Sequence, residues 1–460
     1  MDNYIILALL SAVFGIFIFV RETRVVKQLN SFGIINLFGY MYGLTYGILP
    51  TAVLLTYKYA DLNLSHGYYM IDYTSVGLKR MYVWFFLSIV GYAVIQITYK
   101  FFLDGKYSKI KNSIIEKDPA YFLKEEKNGA MLGTLQICIL ICFIIACVSM
   151  YLWLRAYDGF WGLIKIADQV RDGVSDVKNP LAFFLRPAKM ITTVFFMSMV
   201  LVKKKYNRDF NFVIMCVSFV LSVLMLLALD GRLAMVMYLI VMVLLAGEFF
   251  KVGGFSSKKL LRMAIIGVLA LAFVMNMDSF TFFLRNGYWR DAAQSSSSIE
   301  DTLLEFTYII TGAQHAVQTS IEANGPILIG EDIVAGLFAW VPSSLRPDGI
   351  INIWDYNTEL CTIGNYIYGQ LPCDFITTSI YYLGVAGPLV NGIFWGIVIK
   401  TLDYFHLKNN NSIQDIFYYA LSMRIFRLVN YCLLYDFVLG IFDIFLAYVI
   451  WKACTIIRWE

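Results

Sequence analysis

The sequence predicts an all-α fold, a bundle of membrane-spanning helices with one large loop outside the membrane. Of the 460 residues, 59% are hydrophobic and only 15% are charged, and the mean hydropathy is +0.66. Soluble domains carry about 25% charged residues. Backbone groups in lipid must be paired within helices or closed barrels, and the alternation of barrel strands is absent. This composition, with a net charge of only +4, excludes a soluble globular enzyme, a disordered chain and a nucleic-acid-binding protein.

About eleven segments are long and apolar enough to cross a bilayer as helices, for which about 20 residues suffice. These segments are 3–20, 32–56, 80–99, 130–153, 182–202, 210–229, 233–250, 263–280, 376–399, 414–432 and 436–453. They predict three parts of the chain, which are eight membrane helices in 1–280, a large loop in 281–375 and three membrane helices in 376–460.

The basic residues of the connecting segments predict the orientation. Alternate connections hold 22 of the 37 Lys and Arg residues, and such connections face the cytoplasm. The N-terminus is then outside and the C-terminus inside. The first apolar run has Asp2 before it and Arg21, Arg24 and Lys27 after it, which is the reverse of a signal peptide's charge order. We therefore expect a membrane anchor and not a cleaved signal.

Residues 298–323 of the large outer loop have the pattern of an amphipathic helix. Ser297 and Glu300 form a capping box, and apolar residues then recur at steps of three and four. The run stops at Asn324-Gly325-Pro326, as expected for a helix terminator. We expect this helix to lie against the outer leaflet or to cap the bundle.

The opposite face of this helix carries polar residues. Asp301, Tyr308 and His315 share it, with Glu305 beside them. Two interpretations remain open from the sequence. This face is solvated, or it lines a cleft that holds a catalytic acid or base.

Arginine replaces lysine on the outer side. The 22 cytoplasmic basic residues include 17 Lys, whereas the other 15 include 10 Arg. The loop itself holds Arg285, Arg290 and Arg346 and no Lys. Arginine is favoured at sites that bind phosphate or carboxylate, because its planar guanidinium can donate two parallel hydrogen bonds to such a group. Each arginine could pair with a nearby acid, as Arg290 could with Asp291, but as a group they indicate a bound anion.

At two further sites, charged side chains lie where contact with lipid would be energetically unfavourable. Arg232 lies in a very tight outer hairpin, 229–233, and Arg424 and Arg427 lie one turn apart within the predicted span 414–432. Charged groups inside membranes usually pair with one another or face a polar cavity. Arg427 therefore either pairs with Asp436 or Asp443, or forms part of an anionic headgroup pocket.

In these features the chain resembles the Wzy-type O-antigen and oligosaccharide repeat-unit polymerases. The similarity covers most of the chain in architecture and rests on five local patterns. They are the turn Asp230-Gly231-Arg232, the loop start Arg285-Asn286-Gly287, the Gly- and Pro-containing segment Gly330–Pro347, the loop exit from Pro372 through Thr377-Thr378-Ser379-Ile380 to Tyr382, Gly384 and Gly387, and the pair Arg424 and Arg427 in the penultimate helix.

The resemblance implies a GT-C-like glycosyltransferase in the bacterial inner membrane. Its partner would be an undecaprenyl-pyrophosphate-linked oligosaccharide, which it would join to the next lipid-linked unit at the periplasmic face. Membrane lipids, a chain-length regulator and a flippase of the same pathway would be further partners, with no nucleic acid, metal or cofactor. The leaving group is a pyrophosphate, so arginines could stabilise its developing charge. The expected substrate-binding residues are Arg232, Arg285, Arg290, Arg346, Arg424 and Arg427.

The acceptor hydroxyl needs a general base. The candidates are Glu305, His315 and Asp291, with Asp278 as a further possibility. Two other functions remain open. A lipid-linked oligosaccharide flippase or other transporter would bind substrate near the midplane, often between repeated halves, and we find no internal repeat. An O-antigen ligase would use the same donor with a different acceptor. Cys361 and Cys373 share the outer loop and could form a disulfide in an oxidising compartment.

Overall fold

The computed structural model is predominantly helical, and no strand occurs among the residues that it describes. The described residues are 3–29, 32–59, 71–106, 108–109, 129–171, 177, 179–229, 231–247, 258, 261, 265, 282–283, 287, 307–341, 345–347, 349–350, 352–361, 371–409 and 412–457.

The α-helices of this part of the chain are numbered in order. They are α1 (Asn3–Leu29), α2 (Ile34–Gly43), α3 (Leu49–Tyr59), α4 (Ser75–Phe101), α5 (Gly129–Leu154), α6 (Phe160–Lys165), α7 (Ala167–Arg171), α8 (Leu185–Ala188), α9 (Ile191–Lys203), α10 (Arg208–Leu229), α11 (Gly231–Gly247), α12 (Thr307–Ala316), α13 (Ile329–Leu337), α14 (Ile353–Cys361), α15 (Phe375–Leu383), α16 (Gly387–Asn409), α17 (Ser412–Arg427), α18 (Leu434–Gly440) and α19 (Phe442–Ile457). Two π-helical turns, Leu44–Ile48 and Val317–Glu322, link α2 to α3 and extend α12.

Seven stretches of described helix are long and apolar enough to cross a membrane. They are Asn3–Gln28, Ile34–Leu55, Ser75–Phe101, Met131–Tyr157, Ala182–Lys203, Arg208–Leu226 and Phe375–Lys408. An eighth results if α18 and α19, bent by 42° at their junction, form one broken span. These helices support the prediction of a multi-pass membrane protein. The predicted span 263–280 lies outside the described residues, and the predicted span 233–250 corresponds to α11, whose apolar part is shorter than the others.

The predicted span 414–432 ends early. Helix α17 stops at Arg427, and residues 428–433 turn. The backbone there bonds to the segment that precedes α15, because Phe375 N–H donates to Val429 C=O (2.9 Å) and Cys432 N–H donates to Cys373 C=O (2.8 Å). These long-range bonds replace the helical bonds that hydropathy alone predicts. As a result, Arg424 and Arg427 lie in the last turn of a 16-residue helix, next to the turn at residues 428–433.

The chain forms two compact units. Unit 1 comprises Met1–Ser108, Ser296–Phe405 and Arg424–Leu439, and unit 2 comprises Lys109–Ser295, His406–Met423 and Gly440–Glu460. The units therefore cut across the three predicted parts of the chain. In particular, the described loop residues 307–361 fold together with the N-terminal helices.

In unit 1, α1 packs against α2, α3 and the π-helical turn between them. Gly15 and Gly47 meet at this crossing, and a Cβ on Gly47 would lie 2.3 Å from the Cα of Gly15. Small residues allow this backbone contact, as is usual where membrane helices pack closely.

Helix α12 lies within unit 1, where it packs against α4, α14 and α15. Its buried residues come from several sides of the helix and include Ile310, Thr311 and Gln314. The helix therefore has protein neighbours on both its apolar and its polar sides. Its position against the outer leaflet or as a cap of the bundle stays a prediction. The predicted end is confirmed: the π-helical turn closes at Glu322, and Asn324 adopts a left-handed conformation at φ 50°.

In unit 2, α5 packs against α8, α9 and α19, and α9 packs against α10. Phe195, Phe196 and Tyr238 form an aromatic core, with ring centroids 5.2–5.5 Å apart. His406 stacks on Tyr418, with centroids 3.8 Å apart. These contacts are those of a packed helical core.

Candidate functional site

The candidate site is built around residues 427–436 of unit 1, the turn between α17 and α18. Asp332, at the start of α13, fixes the beginning of α18 because its carboxylate accepts from Leu434 N–H at 2.8 Å and Tyr435 N–H at 3.4 Å. The hydroxyl of Tyr382 donates to the same carboxylate. Burial raises the pKa of Asp332, although these three bonds favour the ionised form and oppose the rise.

The other side of the turn is held by the start of α15. Asp374 caps α15 by accepting from Ile376 N–H at 2.9 Å and Thr377 N–H at 3.1 Å. The hydroxyl of Tyr46 also donates to Asp374, at 2.6 Å. Burial raises the pKa of Asp374 while the hydrogen bonds lower it. Both carboxylates are thus occupied in holding helix ends.

Arg427 lies at the centre of the site. Its Nη1 is 3.4 Å from Oδ2 of Asp436, and its guanidinium carbon is 4.9 Å from the centroid of the Tyr431 ring. The Arg427 and Asp436 side chains keep 25% and 22% of their exposure. Of the alternatives for Arg427, the structure shows the pairing with Asp436, and the guanidinium side chain stays partly exposed.

Arg346 joins the same segment from the loop before α14. Its Nη1 donates to the Tyr435 hydroxyl at 2.9 Å, and its guanidinium carbon lies 5.2 Å from that ring's centroid. Its Nε and Nη2 donate to the carbonyls of Val341 (2.9 Å) and Ala339 (3.4 Å). One of its donors therefore holds the loop against α18, and two others bond to the segment that follows α13.

Aromatic residues of α12 and α14 surround the turn. The rings of Trp354 and Tyr431 lie edge to face, with centroids 6.1 Å apart. Tyr308 forms a side-chain hydrogen bond with Tyr431, and burial raises the pKa of Tyr308 well above its ordinary value. We call Tyr308, Trp354, Arg427, Tyr431 and Asp436 the Arg427 cluster. It combines a reachable cation with aromatic faces.

A second polar group of unit 1 joins α4 to the π-helical turn after α12. Arg80 donates through Nε (2.9 Å) and Nη2 (2.7 Å) to Oε2 of Glu322, and through Nη1 (2.9 Å) to Gln318. Gln314 bonds the backbone of Asp72 in both directions, at 2.9 and 2.8 Å. We call Asp72, Arg80, Gln318 and Glu322, together with His315, the Arg80 cluster.

His315 lies half-buried in the Arg80 cluster. Burial is the main cause that lowers its pKa, the positive charge of Arg80 lowers it further, and Asp72 partly opposes the shift. His315 is therefore neutral at pH 7 and able to accept a proton. The interpretation of its helix face as simply solvated is wrong for Tyr308 and His315, because both side chains have protein neighbours.

The remaining predicted residues are located only in part. Glu305, Asp291, Arg285 and Arg290 lie outside the described residues, as do Asp278 and Asp301. Arg232 lies in α11, but its side chain is outside the described part. Arg424 lies half-buried, one turn before Arg427. The Cys361 side chain is also outside the described part, so its pairing with buried Cys373 stays a prediction.

Sequence reasoning missed Arg80, Trp354 and Tyr431. Arg80 is the first residue of the predicted span 80–99, and basic residues are common at the ends of membrane helices. Trp354 and Tyr431 belong to an aromatic-rich composition in which no single ring stands out. Each is brought to its partners by contacts across more than 70 residues of chain, which a local pattern does not encode.

The described residues contain no group of three or more His, Cys, Asp or Glu side chains that could hold a metal ion. No protein-family model matches the chain, and no curated protein or solved structure matches it.

Proposed function

We propose that this chain is a glycosyltransferase that joins undecaprenyl-pyrophosphate-linked oligosaccharide repeat units into O-antigen or a related surface polysaccharide. The single observation that carries the proposal is Arg427, a partly exposed arginine held between Tyr431 and Asp436 in the unit that also contains the folded part of the large loop. An arginine there suits a leaving group whose negative charge grows in the transition state.

The remaining features of the proposal follow the sequence resemblance. The chain has eleven membrane helices in a GT-C-like arrangement, with a periplasmic N-terminus, a cytoplasmic C-terminus and the site at the periplasmic face of the inner membrane. A chain-length regulator and a flippase of the same pathway are partners. Arg232, Arg285, Arg290, Arg346 and Arg424 assist Arg427 in holding the pyrophosphate.

The general base is Glu305, Asp291 or His315. His315 is supported by its lowered pKa, because a neutral imidazole can take the proton of an acceptor hydroxyl at pH 7. It follows Tyr308 by seven residues within α12, which corresponds to about 10 Å along the axis. That spacing leaves room for sugar between His315 and the Arg427 cluster.

The test is complementation of a strain that lacks this chain. We expect Arg427→Ala to shorten the surface glycan to a single repeat unit, because the pyrophosphate then loses its main cationic partner while the assisting arginines remain. Arg427→Lys should restore part of the activity, since the charge remains while the planar fork is lost. The readout is glycan length on a polyacrylamide gel, with protein amounts compared by immunoblot.

Arg155→Ala is the matched control, because Arg155 is an exposed arginine of unit 2 outside both clusters. Long chains made by Arg427→Ala at wild-type levels would refute the role of Arg427. If deletion of the chain removes even the single-unit form, a flippase or an O-antigen ligase becomes the better explanation.

A further inference from the structure

Trp354 carries a hydrogen-bond donor that no described residue uses. The side chain is only 9% exposed, and its Nε1 has no acceptor within hydrogen-bonding distance. Buried polar side-chain atoms nearly always have a partner, so an unpaired one needs a specific explanation. A ligand that supplies the acceptor is one such explanation.

Poor packing of α14 does not account for this unpaired donor. The backbone N–H of Trp354 donates to Asn352 Oδ1 at 2.9 Å, and its carbonyl accepts from Thr358 at 2.6 Å. One turn on, Asn357 accepts from the Tyr381 hydroxyl at 2.9 Å and donates to the Leu371 carbonyl at 3.3 Å. The helix is therefore held firmly, and the indole N–H stands out as unused.

The neighbours of Trp354 indicate what kind of ligand fits. The Tyr431 ring lies edge to face with the indole, and Arg427 lies over that same Tyr431 ring. Aromatic faces pack well against the C–H faces of a sugar, and a neutral N–H donor suits a hydroxyl or ring oxygen. A charged phosphate would be drawn to the guanidinium of Arg427 in preference to the indole.

We propose that Trp354 and Tyr431 form a sugar-binding subsite beside Arg427. It binds the pyranose ring nearest the pyrophosphate of the lipid-linked oligosaccharide, and Trp354 Nε1 donates to an oxygen of that ring. This proposal rests on the proposed function, because the pyrophosphate on Arg427 places the sugar. The Nε1 atom is enclosed, so the side chains around it must move when the sugar binds.

The chain offers a matched control in Trp84 of α4. Its side chain is 2% exposed, its Nε1 also lacks an acceptor among the described residues, and its described ring partner is Tyr46 at 5.3 Å. Trp84 has the same unpaired atom, and among the described residues no arginine lies over the ring of Tyr46. Replacing each tryptophan by Phe removes only the indole N–H and part of the ring.

The experiment is calorimetric titration of the purified full-length chain in detergent with two probes. One probe is inorganic pyrophosphate, and the other is the soluble oligosaccharide repeat unit released by mild acid from the host's lipid-linked intermediates. We expect Trp354→Phe to weaken oligosaccharide binding about fivefold, the effect of one lost hydrogen bond, and to leave pyrophosphate binding unchanged. Trp84→Phe should change neither affinity. Tyr431→Leu provides a second variant that should also weaken oligosaccharide binding.

Equal oligosaccharide affinity in the wild type, Trp354→Phe and Tyr431→Leu would overturn the subsite, as would no binding of this probe by the wild type. Failure of the proposed function looks different. In that case the wild type does not bind pyrophosphate, or Arg427→Ala binds it unchanged, whatever happens with the oligosaccharide. Thermal unfolding of each variant, followed by circular dichroism, identifies any that are misfolded.

Discussion

Unit 1 contains two polar regions that differ in burial and in how fully their groups are paired. Glu22 of α1 is 1% exposed and accepts hydrogen bonds from Tyr92 (2.5 Å), Asn36 (2.8 Å) and Gln96 (3.2 Å), with Arg21 at 2.5 Å as its ion-pair partner. In the Arg427 cluster, the ion pair is longer, its members are partly exposed and an indole N–H is unused.

This difference separates a structural network from a binding site. An ionisable residue in a membrane helix is by default a functional hypothesis. Glu22 does not need a functional explanation, because its carboxylate is bonded by four donors of the protein and these bonds join α1 to α2 and α4. The Arg427 cluster differs, because its ion pair is partly exposed and the indole N–H of Trp354 has no acceptor among the described residues. An unpaired buried donor beside a partly exposed ion pair makes this region the better candidate for binding a ligand.

The largest expected effect is at Glu22. Glu22→Ala leaves the donors of Tyr92, Asn36 and Gln96 buried without an acceptor, so the free energy of unfolding should fall by about 3 kcal/mol. Reversible unfolding in mixed detergent–SDS micelles measures this value. Glu322→Ala is the control. The Glu322 side chain is 39% exposed, so the loss of its ion pair with Arg80 should lower the free energy of unfolding by less than about 1 kcal/mol. Equal losses in the two variants would contradict the distinction between the regions.

A smaller effect is expected at Asp374. Asp374→Ala removes the cap of α15 and the acceptor of the Tyr46 hydroxyl, so stability should fall by about 2 kcal/mol. Asp374→Asn keeps a capping oxygen and should lose less. Thr74→Ala removes the exposed cap of α4, whose bond to Gly77 N–H is long at 3.3 Å, and should cost only about 0.5 kcal/mol. The same unfolding assay ranks the three variants, and a reversed order would show that these caps do not differ as their burial indicates.

The smallest expected effect is the pH dependence due to His315. Its pKa in the folded chain is below the ordinary value of 6.5, so protonation favours the unfolded chain. The stability contributed by this residue is complete above pH 6.5 and falls as the pH drops below that value. The Asp72 and Glu322 pKa values are lowered by a hydrogen bond from Thr74 and by Arg80, respectively. Their contributions are lost at lower pH, as it falls through their folded-state pKa values.

Unfolding free energies of the wild type and of His315→Gln, measured at pH 7.5 and at pH 5.5, isolate this effect. The wild type should lose more stability than the variant between the two values. A variant with the same pH dependence as the wild type would show that the environment of His315 does not shift its pKa.

The sequence predicted what local patterns encode. Hydropathy located most of the membrane helices, and the Asn324-Gly325-Pro326 stop was right because Asn324 tolerates a left-handed backbone. The pairing of Arg427 with Asp436 was one of the alternatives that the sequence left open, and it is a local contact because nine residues separate the two. Long-range contacts were not foreseen. The early end of α17 depends on bonds to residues 373–375, and the Arg80 site depends on Glu322, which lies 242 residues further along the chain.

The discontinuous composition of unit 1 has a consequence for biosynthesis. Asp332 bonds to Leu434, Tyr46 bonds to Asp374, and Thr45 bonds to Asn430 across 385 residues of sequence. The early helices α1 to α4 therefore enter the membrane long before their partners exist. Unit 1 cannot close around the turn at 427–436 until the ribosome has passed residue 439. In a nascent chain stalled before that point, the carboxylate of Asp332 would lack the backbone N–H donors of Leu434 and Tyr435 that it binds in the folded protein.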